Sequence, residues 1–216
     1  MYLPYSPFWL QWLYPSLTWH KSRKEKSIYL SFDDGPIPVV TPFVLNTLKS
    51  FNAKATFFCI GENIEKHPEI YEQILAEGHS VGNHTYNHLK GWETENKIFL
   101  ENVSQCAKLV KSNLFRPPYG RAKTSQISIL SKGVPPDNTL QRSPSGKYSI
   151  LMWDVLSGDF DTSISPQKCL ENVMNHTKNG SIIVFHDSLK AFERLEYALP
   201  LALKLLREKG YEFGKL

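Results

Sequence analysis

The chain has 216 residues, 41% hydrophobic and 21% charged, with a formal charge of +4. That length suits one domain with a sizeable core, and the composition is ordinary for a soluble globular chain. A charge so mild and so spread excludes a nucleic-acid footprint, because the longest basic run, at 20–24, adjoins Glu25 and reads as a solvated loop.

The N-terminus carries Trp9, Trp12 and Trp19 among tyrosines and prolines. It has no basic leader, no continuous apolar core of signal length and no small-residue cleavage site, which favours the cytoplasm. Residues 1–26 are expected to form an irregular aromatic cover, without membrane contact, on a single domain spanning 1–216. No later stretch is apolar and long enough to cross a bilayer.

From Ile28 onward, strand and helix signals alternate. Ile28-Tyr29-Leu30 is a first strand, closed by Gly35-Pro36. Thr41-Pro42 predicts an N-cap followed by a first-turn proline, with a helix to about Ser50. The run 55–60 is a second strand. Pro68 opens a helix with Ile70, Ile74 and Leu75 on its apolar face, ended by Gly78. A short strand over 79–84 precedes a helix from about Glu93 to Ser112. The run 114–116 is a fourth strand, broken by Pro117-Pro118, and a helix follows over 124–132.

Residues 133–146 are rich in Pro, Asn, Ser and Gly and predict a long loop. The run 148–153 is a fifth strand, and Ser165-Pro166 caps another helix. The apolar run 181–185 predicts a sixth strand buried on both faces. A last helix covers about 195–209, and 211–213 is a seventh strand. Such alternation implies a parallel sheet, open or closed into a barrel. Cys59, Cys106 and Cys169 lack metal or disulfide spacing; the first two sit among apolar neighbours and read as buried thiols.

The polar residues fall where the strands end, the rim that carries chemistry in α/β folds. The first strand ends in Asp33-Asp34, the third in His84 with His88, and the fourth in Arg116 followed by Pro118 and Tyr119. The fifth leads to Asp154 and Asp159, and the sixth to His186-Asp187. Two adjacent carboxylates repel, so a cation or a shared proton is required to keep both. His84 and His88, four apart, share a face if the turn is helical. With a carboxylate they form a two-His-one-carboxylate set suited to zinc or another divalent transition metal. Hydrolysis at such a site needs a base, an acid and oxyanion donors. The second carboxylate of the Asp33-Asp34 pair can be the base, held by Arg116, and His186 the acid, held protonated by Asp159. Trp92 is a candidate for stacking on sugar, whereas Trp153 reads as a core residue.

In order along the chain stand S-F-D-D-G-P, H-T-Y-N-H, R-P-P-Y-G, W-D-V-L-S-G-D-F and I-V-F-H-D. With these five motifs the chain resembles the NodB-homology polysaccharide deacetylases, carbohydrate esterase family 4. The resemblance spans Ser31 to Asp187 and implies a distorted (β/α)7 barrel of parallel strands. It implies Asp33 as general base, Asp34, His84 and His88 as metal ligands, and Arg116 as the residue orienting Asp33. It further implies that the Tyr119 backbone N–H binds the oxyanion and that His186, tuned by Asp159, is the acid. Trp92, Pro118 and Tyr119 would border the substrate.

The expected reaction is removal of N-acetyl groups from N-acetylhexosamine carbohydrate of peptidoglycan or chitin type, releasing acetate. The expected cofactor is zinc, with cobalt or nickel as alternatives. Two departures stand out: Leu156 and Phe160 occupy the places of an Asp and a Trp in the fourth motif, and the 133–146 loop is long for the family. A related amidase on a non-sugar amide and a catalytically silent sugar-binding module are the competing readings.

Overall fold

A computed structural model of the chain describes residues 2–133 and 146–216. After a short helix α1 (Phe8–Leu13), strand β1 (Ser27–Asp33) leads to helix α2 (Val40–Ser50), and β2 (Thr56–Cys59) to the successive helices α3 (Gly61–Lys66) and α4 (Pro68–Ala76). Next come β3 (Ser80–Asn83), α5 (Asn96–Ala107), β4 (Leu114–Phe115) and α6 (Thr124–Lys132). Two short strands, β5 (Ser149–Ile150) and β6 (Val155–Leu156), precede α7 (Pro166–His176). The chain closes with β7 (Ile182–His186), α8 (Phe192–Glu208) and β8 (Glu212–Gly214).

The strands form one curled parallel sheet in the order β5-β4-β3-β2-β1-β7-β6, a half-barrel wrapped by helices. β1 is its centre: Ser31 to Asp33 pair with β2, and Tyr29 to Asp33 pair with β7. Its first three residues pair with β8. Alternation along the strands sorts the side chains. Ile28, Leu30 and Phe32 pack outward under the helices, in one core with Val44 and Leu48 of α2 and Leu199 and Leu203 of α8. Each such side chain, fully buried, contributes about 1.5–3 kcal/mol. Ser31 and Asp33 are thereby left on the opposite, inner face, where Arg116 meets both.

The parallel half-barrel agrees with the expected fold, and the differences are local. Thr41 is not an N-cap: α2 starts at Val40, and the Thr41 hydroxyl instead accepts from Ile37 N–H and donates to Asp187. Leu75 is exposed and Tyr71 takes its place on the buried face of α4. α5 is shorter at both ends than its apolar pattern suggests: a 3-10 turn at Gly91–Glu93 precedes it, and it ends at Ala107, where the Lys108 and Leu109 amides turn back to Gln105 and Cys106. The run 148–153 forms only the two-residue β5, after which the chain crosses over to β6. Trp153 lies in that crossover, only partly buried. The predicted loop at 134–145 lies outside the described residues; its flanks meet, since a Cβ on Gly133 would stand 2.8 Å from the Gly146 carbonyl oxygen.

The N-terminal segment bridges the two edge strands of the half-barrel. Leu156 N–H donates to Pro4 O (2.9 Å) and Ser6 N–H to Asp154 O (3.0 Å), on the β6 side. Thr18 N–H donates to Ile150 O (2.9 Å) and Met152 N–H to Thr18 O (2.8 Å), beside β5. Backbone groups that an open edge would leave unpaired are so satisfied. All three cysteines are buried and free. Among the described residues no helix is long and apolar enough to cross a membrane.

Candidate functional site

The rim at the carboxyl ends of β1, β3, β4 and β7 gathers the polar residues. β1 ends at Asp33, and Asp34 follows in a left-handed conformation (φ 89°). The turn is fixed from below by Asp187. Its carboxylate accepts from Gly35 N–H at 3.0 Å and from the Thr41 hydroxyl at 2.6 Å. Its backbone N–H donates to Asp33 O. A Cβ on Gly35 would stand 2.0 Å from Asp187 Oδ2, so only glycine fits there. Asn63 of α3 donates to the Asp34 carbonyl at 2.7 Å.

His84 and His88 meet without a helix. The segment after β3 is a loop with Thr85 (φ 67°) and His88 (φ 60°) left-handed, and this corrects the expected helical turn. Side chains take the place of helical hydrogen bonds. Asn83 accepts from Thr85 N–H, and Asn102 of α5 accepts from Tyr86 N–H. The first amides of α3, Gly61 and Glu62, donate to the carbonyls of Thr85 and Tyr86. The His84 ring is buried, and its Nδ1 lies 2.8 Å from Arg116 O. A carbonyl only accepts, so Nδ1 carries the proton and Nε2 presents its lone pair.

That Nε2 lies 3.8 Å from Asp34 Oδ1, and the His88 Nε2 lies 3.4 Å from the same oxygen. Burial lowers both imidazoles, that of His84 to about 4, so both are neutral near pH 7. Asp34 Oδ1 is itself buried and has no hydrogen-bond partner. A buried carboxylate oxygen without a donor is costly, and here it faces two lone pairs. All three ligating atoms lie within 4.8 Å of one another. A borderline divalent cation is the partner that such a set of donors fits, and three protein ligands leave positions open.

Arg116 is fully buried and saturated. Nε donates to Leu151 O (3.0 Å) and Nη2 to Met152 O (3.0 Å). Nη1 donates to Ser31 Oγ (2.8 Å) and Asp33 Oδ1 (2.7 Å). Its guanidinium lies 4.1 Å from the Phe58 ring centroid. Burial alone would raise the Asp33 pKa, but Arg116, with His84 and His186, outweighs it and holds the carboxyl below its usual range.

On the other side, Asp159 holds His186 twice, accepting from its backbone N–H at 2.6 Å and from Nδ1 at 2.8 Å. Burial would lower the imidazole, yet Asp159 reverses this and raises it to about 9. Arg194 of α8 anchors the same loop by donating to Asp159 O at 2.7 Å.

Tyr119 sits in a tight turn with left-handed backbone (φ 58°) and lies half-exposed, its ring 4.6 Å from that of His88. Pro118 is buried in that turn, and Trp92 stands edge-on to Tyr119 at 5.4 Å. Trp92 and Tyr119 share a cavity of about 730 Å³ with Trp153, which is therefore not a core residue. Phe160 stands edge-on to the His186 ring at 5.1 Å, and Leu156 lines the cavity from β6. Asp154 is absent from this cluster; it binds Arg23, Ser181 and the Ile182 amide.

All ten residues expected at the site therefore lie at this rim or in the turn beside it. Sequence reasoning missed Ser31, Asn63, Asn102, Thr41 and Arg194. Ser31 alone carried a signal, standing two residues before Asp33 and so on the same strand face.

Known proteins resemble this chain in sequence and in fold. The polysaccharide deacetylase family model matches residues 20–134. A peptidoglycan-N-acetylglucosamine deacetylase of Bacillus cereus is 32% identical over 91% of this chain and 89% of its own. A chitooligosaccharide deacetylase of Azorhizobium caulinodans is 31% identical over 77% of this chain and 76% of its own. A crystal structure of a peptidoglycan N-acetylglucosamine deacetylase in complex with 4-naphthalen-1-yl-N-oxidanyl-benzamide superposes with a TM-score of 0.79 at 28% identity, covering 98% of this chain and 95% of that one. With its motifs, its half-barrel and these relatives, the chain belongs to the NodB-homology polysaccharide deacetylases of carbohydrate esterase family 4.

Proposed function

We propose that this chain is a metal-dependent N-deacetylase of N-acetylhexosamine residues in peptidoglycan- or chitin-type carbohydrate, releasing acetate. The observation that carries the reading is the orphaned Asp34 Oδ1 facing two imidazole lone pairs, beside an ionised carboxyl and a protonated imidazole. Asp34, His84 and His88 are the ligands, and zinc suits their mixed nitrogen and oxygen donors. Bound there, the cation would supply Lewis acidity to the acetamide carbonyl and lower the pKa of the attacking water.

Asp33 takes the water's proton on the carboxylate oxygen that Arg116 does not occupy. Its lowered pKa keeps it ionised, and Arg116 fixes its direction. Water oxygen bonds to the carbonyl carbon, and negative charge develops on the carbonyl oxygen. The backbone N–H of Tyr119, in its left-handed turn, is the donor to that oxygen in this reading. His186 enters the reaction protonated, its Nδ1–H held by Asp159. Its Nε2–H gives the proton to the amide nitrogen, the C–N bond breaks, and acetate and a free amine leave. The base and the acid thus differ because their partners push their pKa values apart.

The test is acetate release from N-acetylglucosamine oligomers and peptidoglycan fragments, set against a small non-sugar N-acetyl amide. Release from the sugars that is lost in Asp33→Asn supports the reading. Cleavage of the small amide alone would give the site to an amidase, and no cleavage at all to a silent binder.

A further inference from the structure

The cavity of about 730 Å³ runs from Tyr119 outward and is closed on its far side by the N-terminal segment. Its lining is mostly apolar beyond the turn of Tyr119. Among the described residues around it there is no carboxylate, no carboxamide and no imidazole, the groups that bind sugar hydroxyls in pairs. The single charge is Arg121, and that guanidinium lies 5.5 Å from the Trp92 ring centroid. The walls are mainly aromatic and aliphatic, with Trp9, Leu10, Trp92, Ile127 and Trp153 among them, and the polar groups besides Arg121 are scattered hydroxyls such as those of Ser6, Ser16 and Thr124.

A second observation concerns α1, which supplies Trp9 and Leu10 to this wall. No residue of α1 is buried, Phe8 is 83% and Trp12 81% exposed, and Leu13 and Trp9 are more than half exposed. Exposed Trp and Phe beside aliphatic residues make a surface suited to the boundary between water and lipid. The segment is also fixed, since its backbone is hydrogen-bonded to both edges of the sheet. A mostly apolar cavity thus borders Tyr119, whose ring touches that of His88, and adjoins an apolar surface element.

We propose that this cavity binds the alkyl tail of an amphiphilic substrate, so that the preferred substrate is an N-acetylhexosamine carried on a lipid chain. The sugar sits at His88 and Tyr119, the tail runs between α1 and Trp92, and α1 meets the lipid surface from which the tail comes. This rests on the deacetylase reading for the sugar end, but the tail site stands on its own lining.

The test compares octyl and methyl 2-acetamido-2-deoxy-β-D-glucopyranoside, the octyl compound kept below its micelle concentration. Binding is followed by tryptophan fluorescence, and acetate release is measured in parallel. The octyl glycoside binds at least about tenfold tighter, a factor that burial of two methylenes supplies. Leu10→Asp and Trp9→Ala each reduce the octyl-to-methyl ratio at least about fivefold. Equal binding of the two glycosides, or a ratio that both variants leave intact, overturns the tail site whatever the rates are. Tight octyl binding with both glycosides and N-acetylglucosamine oligomers left intact supports the tail site and instead sinks the deacetylase reading.

Discussion

Removing the Arg116 guanidinium tests how the base is held. Arg116→Met keeps the aliphatic stem of the side chain but deletes every donor and the guanidinium that lies over Phe58. Asp33 then becomes a buried carboxylate without its ion pair, and the carbonyls of Leu151 and Met152 lose a donor each. Breaking a buried pair from one side costs about 3–5 kcal/mol. We take about 4 kcal/mol, which corresponds to a fall in Tm of about 8–16 °C for a domain of this size. Asp33→Asn strands the buried Arg116 charge in turn and costs about 3 kcal/mol, the low end of the range for a broken pair because the amide oxygen still accepts from Arg116. In the double variant the stranded charge is gone, so the two losses do not add. A coupling of about 2 kcal/mol is expected. The assay is urea unfolding of the four proteins with metal chelated. Additivity within about 0.5 kcal/mol would refute the claim that Arg116 compensates Asp33.

Asp34 is placed for a ligand and not for stability, so Asp34→Ser in the chelated protein unfolds no lower in urea than wild type, yet shows no rise in Tm when zinc is added. Loss of stability together with a retained zinc response would contradict this. His186 is raised to about 9 in the metal-free protein, read by NMR of its ring, and Asp159→Asn lowers it, because burial then acts with much less opposition. Because its folded pKa is the higher, the stability His186 adds is complete below about 6.5 and lost as pH rises through 9. His79 has the opposite sign. Burial lowers it to about 4, with Nδ1 accepting from Ala55 N–H at 3.2 Å. Wild type therefore loses stability as pH falls from about 6.5 towards 4, and His79→Gln shows a shallower loss in urea midpoint. Gly35→Ala drives a methyl into Asp187, costs about 1–3 kcal/mol or more, and lowers acetate release along with Tm.

What was legible in the sequence was whatever depends on short-range order. β1, β2, β7 and α8 were visible because long apolar runs and helical periodicity do not need a partner to be recognised. The site residues were visible because they punctuate strand ends, as Asp33-Asp34 and His186-Asp187 do. What could not be read depends on distant segments. β6 is two residues long and exists through pairing with β7 and the N-terminal chain, and its own sequence gives no strand pattern. The joining of His84 and His88 looked helical by spacing, but Asn102, sixteen residues beyond Tyr86, holds the loop instead. Thr41 looked like a cap because Thr-Pro usually is one. The carboxylate of Asp187, 146 residues away, claims its hydroxyl. Nor does the sequence of residues 2–18 reveal that they span the two edges of the sheet.

The most direct measurement is zinc titration of chelator-stripped protein with acetate release from N-acetylglucosamine oligomers followed at each addition. The account predicts one zinc per chain, activity rising in proportion to occupancy, and loss of that binding in both Asp34→Ala and His88→Ala. Full acetate release in the presence of the chelator, or undiminished zinc binding in both variants, would contradict it.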